Sequence, residues 1–84
     1  MAIRYAIWDT EDDPRGNVQH IAEHGLTPED VEDVLFGIHE LDTSRSSGNP
    51  IALGFTSGGE YICVVFEWVD DETAYPVTAY PLEE

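Results

Sequence analysis

The stretch that decides the fold is residues 60–69, Glu-Tyr-Ile-Cys-Val-Val-Phe-Glu-Trp-Val, which contains the longest uninterrupted apolar run of this 84-residue chain. Successive side chains of an extended backbone point to opposite faces of a sheet. Here both faces are apolar, with Tyr61, Cys63 and Val65 on one and Ile62, Val64, Phe66 and Trp68 on the other. A strand with two apolar faces is typical of the interior of a sheet. We therefore expect a central strand over residues 60–69.

Three further segments show the alternation of strands: Pro50–Thr56, Thr73–Tyr80 and, more weakly, Glu40–Arg45. Turn-forming residues separate these strands, at 46–49, 57–59 and 70–72. Pro76 has no backbone N–H to give to a neighbouring strand, so the last strand should lie at an edge or contain a bulge at that point.

The N-terminal half predicts one strand and two helices. Ala2–Trp8 alternates like a strand, and Asp13-Pro14 is typical of a helix start, with the helix running to about His24 and Gly25 ending it. Thr27-Pro28 repeats the start signal for a second helix. Its apolar positions share one face: Val31, Val34, Leu35 and Ile38.

The element order β-α-α-β-β-β-β predicts an α+β fold, with two helices packed on a mostly antiparallel sheet in a single domain over residues 1–84. No stretch is apolar for long enough to span a bilayer, and the N-terminus lacks the apolar core of a signal peptide. Cys63 is the only cysteine, which excludes an internal disulfide and favours a buried, inert thiol. We expect a protein of the reducing cytoplasm.

Charge narrows the possible partners. Asp and Glu together number 18, against three arginines and no lysine, for a formal net charge of −15. Arg4, Arg15 and Arg45 are scattered along the chain, so no basic stripe is available to neutralise phosphates. Stable binding to nucleic acid or to an anionic membrane is therefore not expected, whereas a small basic protein is a suitable partner.

Two short patterns resemble metal sites. His20-Ile-Ala-Glu-His24 places two imidazoles on one side of a helix, but a zinc hydrolase needs a third protein ligand that the sequence does not supply. Asp9, Glu11 and Asp13 alternate like the start of a calcium loop, which Pro14 interrupts where such a loop requires glycine. The sequence therefore predicts neither a metal site nor a cofactor.

Several residues together resemble the BrnT family of bacterial toxins over about residues 6–80. The most specific part is Trp8-Asp9 followed by Asn17, His20 and His24-Gly25. The acidic second helix, Arg45, Gly54-x-Thr56, Val64-Val65 and Thr78-Ala79 add to it. The resemblance implies a RelE-like α+β fold, metal-independent cleavage of RNA, and a ribbon-helix-helix antitoxin as partner.

The same resemblance makes His24 the candidate base and Arg45 the candidate cation of a catalytic site, with His20 and Tyr80 as further candidates. This chain departs from the family where arginines face RNA, since Glu67 follows the Val-Val strand and tyrosines stand in the last strand. Two functions follow as hypotheses. One is a BrnT-like toxin component that touches RNA only transiently as a substrate, and the other is a non-catalytic acidic domain that binds a basic protein.

Overall fold

The computed structural model describes residues 2–37 and 39–82, which form two helices and a five-stranded mixed sheet. In chain order the elements are β1 (Tyr5–Ala6), α1 (Asn17–Ala22), α2 (Pro28–Phe36), β2 (Glu40–Thr43), β3 (Pro50–Phe55), β4 (Tyr61–Trp68) and β5 (Thr73–Pro81). The predicted α+β class and element order are confirmed. None of the helices in the described ranges is long and apolar enough to cross a membrane.

The strands lie side by side in the order β1-β5-β4-β3-β2, so β4 is central, as its two apolar faces predict. Neighbours are antiparallel except for β1, which runs parallel to β5 through the pairs Tyr5–Thr73 and Ala6–Ala74. The β4–β5 register shifts beside Pro76, because Val65 pairs with Thr78 while Phe66 pairs with Pro76. This bulge confirms the interruption expected at that proline.

Both helices pack on the same face of the sheet. α1 contacts β5, and α2 contacts β3 and β4. The core between the layers is made by Ile21, Leu26, Val31, Val34 and Leu35 from the helical side and by Ala52, Ile62, Val64, Phe66 and Ala79 from the sheet. Directly paired residues share a face, and Ala52, Val64 and Ala79 form one such row. Both helices therefore bury their apolar side chains against the same face of the sheet.

The second helix begins as predicted. The Thr27 hydroxyl accepts the backbone N–H of Asp30 at 3.2 Å, and the Asp30 carboxylate accepts the backbone N–H of Thr27 at 3.0 Å. This reciprocal capping box satisfies two backbone donors at the helix start. The buried stripe Val31, Val34 and Leu35 then faces the core, and the predicted fourth position, Ile38, lies outside the described residues.

The first helix is shorter than expected, and its predicted start was wrong. It begins at Asn17 because Gly16, with φ −78° and ψ 163°, is extended, and Asp13 accepts the backbone N–H of Arg15 at 3.0 Å in a turn before it. The chain turns out of the helix at Gly25, whose φ of 79° is open to glycine. Gly25 N–H donates to Ala22 O and Leu26 N–H to Ile21 O, the pair of bonds that defines a Schellman ending.

The first strand is also shorter than the predicted Ala2–Trp8. Only Tyr5–Ala6 pair as a strand, although Arg4 and Ile7 still donate backbone bonds to Glu72 and Ala74 of the neighbouring segment. The alternation over residues 2–8 therefore predicted the strand but overestimated its length.

Candidate functional site

Three of the four predicted site residues lie together at one corner of the molecule. His20 is exposed on α1 and His24 follows in the turn after it, with their ring centroids 6.5 Å apart. Tyr80, near the end of β5, has its ring centroid 6.1 Å from that of His24. The contact between α1 and β5 therefore joins residues 56 positions apart into one cluster, the histidine–tyrosine cluster of His20, His24 and Tyr80.

The fourth candidate, Arg45, lies elsewhere. It is exposed in the turn between β2 and β3, beyond the Thr43–Pro50 pair, while Tyr80 stands in the row of Cys63, Leu53 and Glu40. Thr43 lies three residues along β2 from Glu40, at about 3.4 Å per residue, and β2 lies three strand spacings of about 4.8 Å from β5. The backbones of Thr43 and Tyr80 are therefore roughly 17 Å apart. The structure does not bring Arg45 to His24.

Tyr80 and Cys63 affect each other's pKa in opposite directions. The Cys63 thiol raises the pKa of Tyr80, and the largest contribution comes from the hydrogen bond between the two side chains. Burial raises the pKa of Cys63, and the Tyr80 hydroxyl offsets part of that rise. The burial of Cys63 predicted from the sequence is confirmed, and a raised pKa favours the protonated form of both groups near neutral pH.

The histidine pair provides only two imidazoles for a metal. Within residues 2–37 and 39–82 no group of three or more His, Cys, Asp or Glu side chains is placed to hold an ion. The carboxylates of the calcium-like pattern have other partners, since Asp9 binds Asn17 and Tyr75, and Asp13 binds the backbone of Arg15.

A hydrogen-bond network that the sequence did not predict joins Asp9, Asn17 and Tyr75. One Asp9 carboxylate oxygen accepts the Asn17 backbone N–H at 2.9 Å and the Tyr75 hydroxyl at 2.7 Å. The Asn17 side chain accepts the Asp9 backbone N–H and donates to the carbonyls of Ile7 and Pro76, all at 2.9 Å. Asn17 is only 2% exposed. One asparagine thus joins the chain after β1, the start of α1 and the bulge of β5.

The network sets the ionisation of its members. The Tyr75 hydroxyl, and then the Asn17 backbone N–H, lower the pKa of Asp9. The Asp9 carboxylate in turn raises the pKa of Tyr75. Trp8, next to Asp9, donates its indole N–H to Glu32 of α2 at 3.0 Å. Trp8, Asp9 and Asn17, which carried much of the family resemblance, therefore have structural partners here, while His20 and His24 remain exposed.

The second candidate surface is the sheet face opposite the core, which the described helices leave uncovered except at the β5 edge, where His24 contacts Tyr80. Register places a continuous set of side chains on this open face: Ile51, Leu53, Phe55, Tyr61, Cys63, Val65, Thr78 and Tyr80. Phe55 is 59% exposed and stacks on Tyr61 with ring centroids 4.8 Å apart. A solvent-facing side of an antiparallel sheet is normally polar. This one is apolar at its centre, where Cys63 and Val65 are buried, and its exposed large side chains are Phe55 and Tyr80.

Acidic residues border the open face. Glu40 and Asp42 of β2 pair with Leu53 and Ile51, and Glu67 of β4 pairs with Tyr75, so all three carboxylates lie on that side. A shallow groove of about 180 Å³ at one end is lined by His39, Glu40, Leu53, Gly54, Phe55 and Tyr61. Small-molecule pockets usually measure about 300–1,000 Å³, so this groove suits a protein side chain better than a metabolite.

Comparison of the chain with protein-family models, with curated proteins and with solved structures finds no significant match. Function is therefore inferred from the charge and geometry of the two surfaces.

Proposed function

We propose that this protein is an acidic protein-binding domain that engages a small basic partner. The observation that carries the proposal is that ion pairs within the protein neutralise very little of its negative charge. The single ion pair among the described residues joins Arg4 Nε to Glu72 Oε2 at 4.0 Å, between two exposed side chains. Such a pair contributes little to stability, and the net charge of −15 remains on the surface.

A surface of one sign speeds encounter with an oppositely charged protein and disfavours partners of like charge. The resemblance to BrnT-like toxins supports the same pairing, because it implies a ribbon-helix-helix antitoxin as the second protein. The observed element order is compatible with the RelE-like fold that we propose on that resemblance. In this proposal the chain is the acidic half of a two-protein pair.

Affinity capture from cells that naturally express the protein tests this proposal. We expect a specific co-purifying protein, identified by mass spectrometry, with an excess of Lys and Arg. A charge-reduced variant, with Glu11, Asp12 and Glu23 changed to Gln or Asn, serves as a comparison because these side chains are exposed. Capture of no specific protein, or of an acidic one, would contradict the proposal.

A second candidate, a BrnT-like ribonuclease toxin, is favoured by the histidine–tyrosine cluster. In this candidate function His24 acts as the general base for a ribose 2′-hydroxyl, and its closeness to Tyr80 and His20 supports that role. Such cleavage also needs a cation to stabilise the phosphorane, and Arg45 would have to act from its turn on another part of the RNA.

Induced expression in a bacterial host tests the second candidate. A ribonuclease toxin would arrest growth and cut transcripts, and His24→Ala would abolish both effects, whereas Arg45→Ala would weaken them by removing a more distant contact with the RNA. Glu23→Ala, at an exposed neighbouring position, would leave them unchanged. Unimpaired growth despite accumulation of the folded wild-type protein would refute catalysis and leave the binding function.

A further inference from the structure

We infer that the open face is the docking site for the basic partner, and that the segment it binds is an amphipathic helix with an apolar side flanked by Lys and Arg. The inference rests on the proposed function and adds the surface and the chemistry of the bound segment. It starts from the apolar side chains that register places on this face, with Phe55 more than half exposed. Leu53 and Tyr61 beside it are half-buried, whereas Cys63 and Val65 are buried, so the exposed apolar surface is grouped around Phe55, and such grouping is a mark of interaction sites in proteins.

The arrangement of side chains matches the anatomy of a protein interface. The aliphatic and aromatic centre of Leu53, Phe55 and Tyr61 is bordered by Glu40 and Asp42 along β2 and by Glu67 at the far end of β4. Interfaces bury an apolar centre inside a polar rim, and aromatic residues are enriched among the centres that matter most. All three rim residues are exposed acids, so a complementary partner carries basic residues around an apolar stripe.

The dimensions of the open face suit one helix. Strands β2 to β5 extend over three spacings of about 4.8 Å, or roughly 14 Å, and the six residues of β3 extend over about 20 Å. A helix has a diameter of about 10–12 Å with its side chains, and about 14 residues cover roughly 20 Å. The groove beside Phe55 then takes one apolar side chain of that helix.

Other occupants fit less well. A second copy of this chain would bring Glu40, Asp42 and Glu67 against the same carboxylates, with a charge of −15 on each copy. Like charges placed opposite each other disfavour such pairing. An added strand would need a long accessible edge, whereas the edge strand β2 has four residues, all exposed and two of them acidic.

Fluorescence anisotropy with a labelled synthetic peptide tests the docking site on the full chain. The probe is a 14-residue helix-forming peptide with leucines on one side and lysines flanking them. A peptide of the same composition, with the leucines spread around the helix, is its control. We expect the amphipathic probe to bind at least about tenfold more tightly, because only it presents a continuous apolar stripe.

Matched variants of the protein show where on its surface the peptide binds. Phe55→Ser should weaken binding by about tenfold, because it removes the exposed aromatic anchor, while Phe36→Ser, at an exposed phenylalanine of α2, should leave binding within about twofold. Glu40→Lys should weaken binding more than Glu11→Lys, which makes the same charge change in the loop before α1. Equal effects within either pair of variants, or no binding of the probe, would overturn the inference.

The two proposals can fail separately. If cells yield a basic partner whose binding Phe55→Ser and Glu40→Lys do not weaken, docking on the open face is refuted and the partner-binding function stands. If cells yield no basic partner, the proposed function is refuted, whatever the synthetic peptide does.

Discussion

At the residue scale, Asn17 joins more of the structure than any other described side chain. Its amide completes bonds with the backbones of Asp9, Ile7 and Pro76, and it is almost fully buried. Asn17 was noted in the sequence only as part of the family resemblance, and no local pattern predicted its structural role. Its partners lie up to 59 residues away in the chain, and only the folded β1–β5 pairing brings them together.

We predict that Asn17→Ala lowers the free energy of unfolding by about 2–4 kcal/mol, because it leaves buried backbone groups without partners. Gln19→Ala is the control on the same helix, since Gln19 makes one exposed bond, to the Glu11 carbonyl at 2.6 Å. Urea unfolding of both variants measures the difference. A loss for Asn17→Ala no larger than that for Gln19→Ala would contradict the structural role.

The pKa of Asp9 gives a second prediction at this scale. The Tyr75 hydroxyl and the Asn17 backbone N–H stabilise the carboxylate, so the pKa of Asp9 in the folded protein lies below its ordinary value of 3.8. The resulting stabilisation is fully present above the unfolded-state pKa and is lost as the pH falls through the folded-state pKa.

Tyr75→Phe should therefore raise the pKa of Asp9 and move acid unfolding to higher pH, because it removes the first of these donors. An NMR titration of the Asp9 carboxyl group measures the shift directly. Tyr5→Phe, at a tyrosine that is 60% exposed, is the control and should leave the titration of Asp9 unchanged. An unchanged Asp9 titration in Tyr75→Phe would rule out the hydrogen bond as the cause.

At the element scale, the accuracy of the sequence prediction depended on whether each boundary was set by neighbouring residues. The second helix was predicted correctly because Thr27, Pro28 and Asp30 form its start locally. The start of the first helix was predicted too early because Gly16 is extended and the Asn17 N–H is bound by Asp9, eight residues before it in the chain. The turn at 57–59 was likewise local, and it closes with the Gly59 N–H donating to Thr56 O at 2.9 Å.

The capping box of α2 can be tested by substitution. Thr27→Ala removes the hydroxyl that accepts the Asp30 N–H and should cost about 1 kcal/mol, within the usual range for such caps. In a domain of this size that corresponds to a melting temperature lower by about 4–8 °C. Thr10→Ala, in the exposed loop after β1, should change the melting temperature by much less. Equal melting temperatures for the two variants would show that the capping box adds no stability.

The candidate surfaces were predictable to different degrees. The sequence placed Tyr61, Cys63 and Val65 on one face of β4, but it did not show that both helices pack on the other face. His20 and His24 were recognised by their spacing, whereas the proximity of Tyr80 depends on α1 lying along β5. The separation of Arg45 from His24 depends on strand order, which no local pattern specifies.

At the scale of the whole molecule, the charge of −15 acts on stability as well as on recognition. Carboxylates crowded on a small surface repel one another, and the described ion pair offsets little of this repulsion. In sodium chloride solution, exposed charges are screened from each other beyond a Debye length of about 10 Å at 0.1 M and about 3 Å at 1 M.

We therefore predict that raising sodium chloride from low salt to about 0.5 M raises the melting temperature, because the folded state concentrates like charges more than the unfolded chain does. Differential scanning calorimetry at fixed pH measures the effect. A melting temperature that stays constant or falls over this range would mean that self-repulsion does not limit stability.

The central claim is that the acidic surface recognises a basic protein. Salt, which should raise the melting temperature of the protein, should weaken this binding. Isothermal titration calorimetry of the protein with its captured partner, at about 50 mM and about 500 mM sodium chloride, tests it most directly. Because the charges of both proteins are screened at the higher concentration, we predict that Kd rises at least about tenfold. A Kd that is the same at both salt concentrations would contradict recognition through charge.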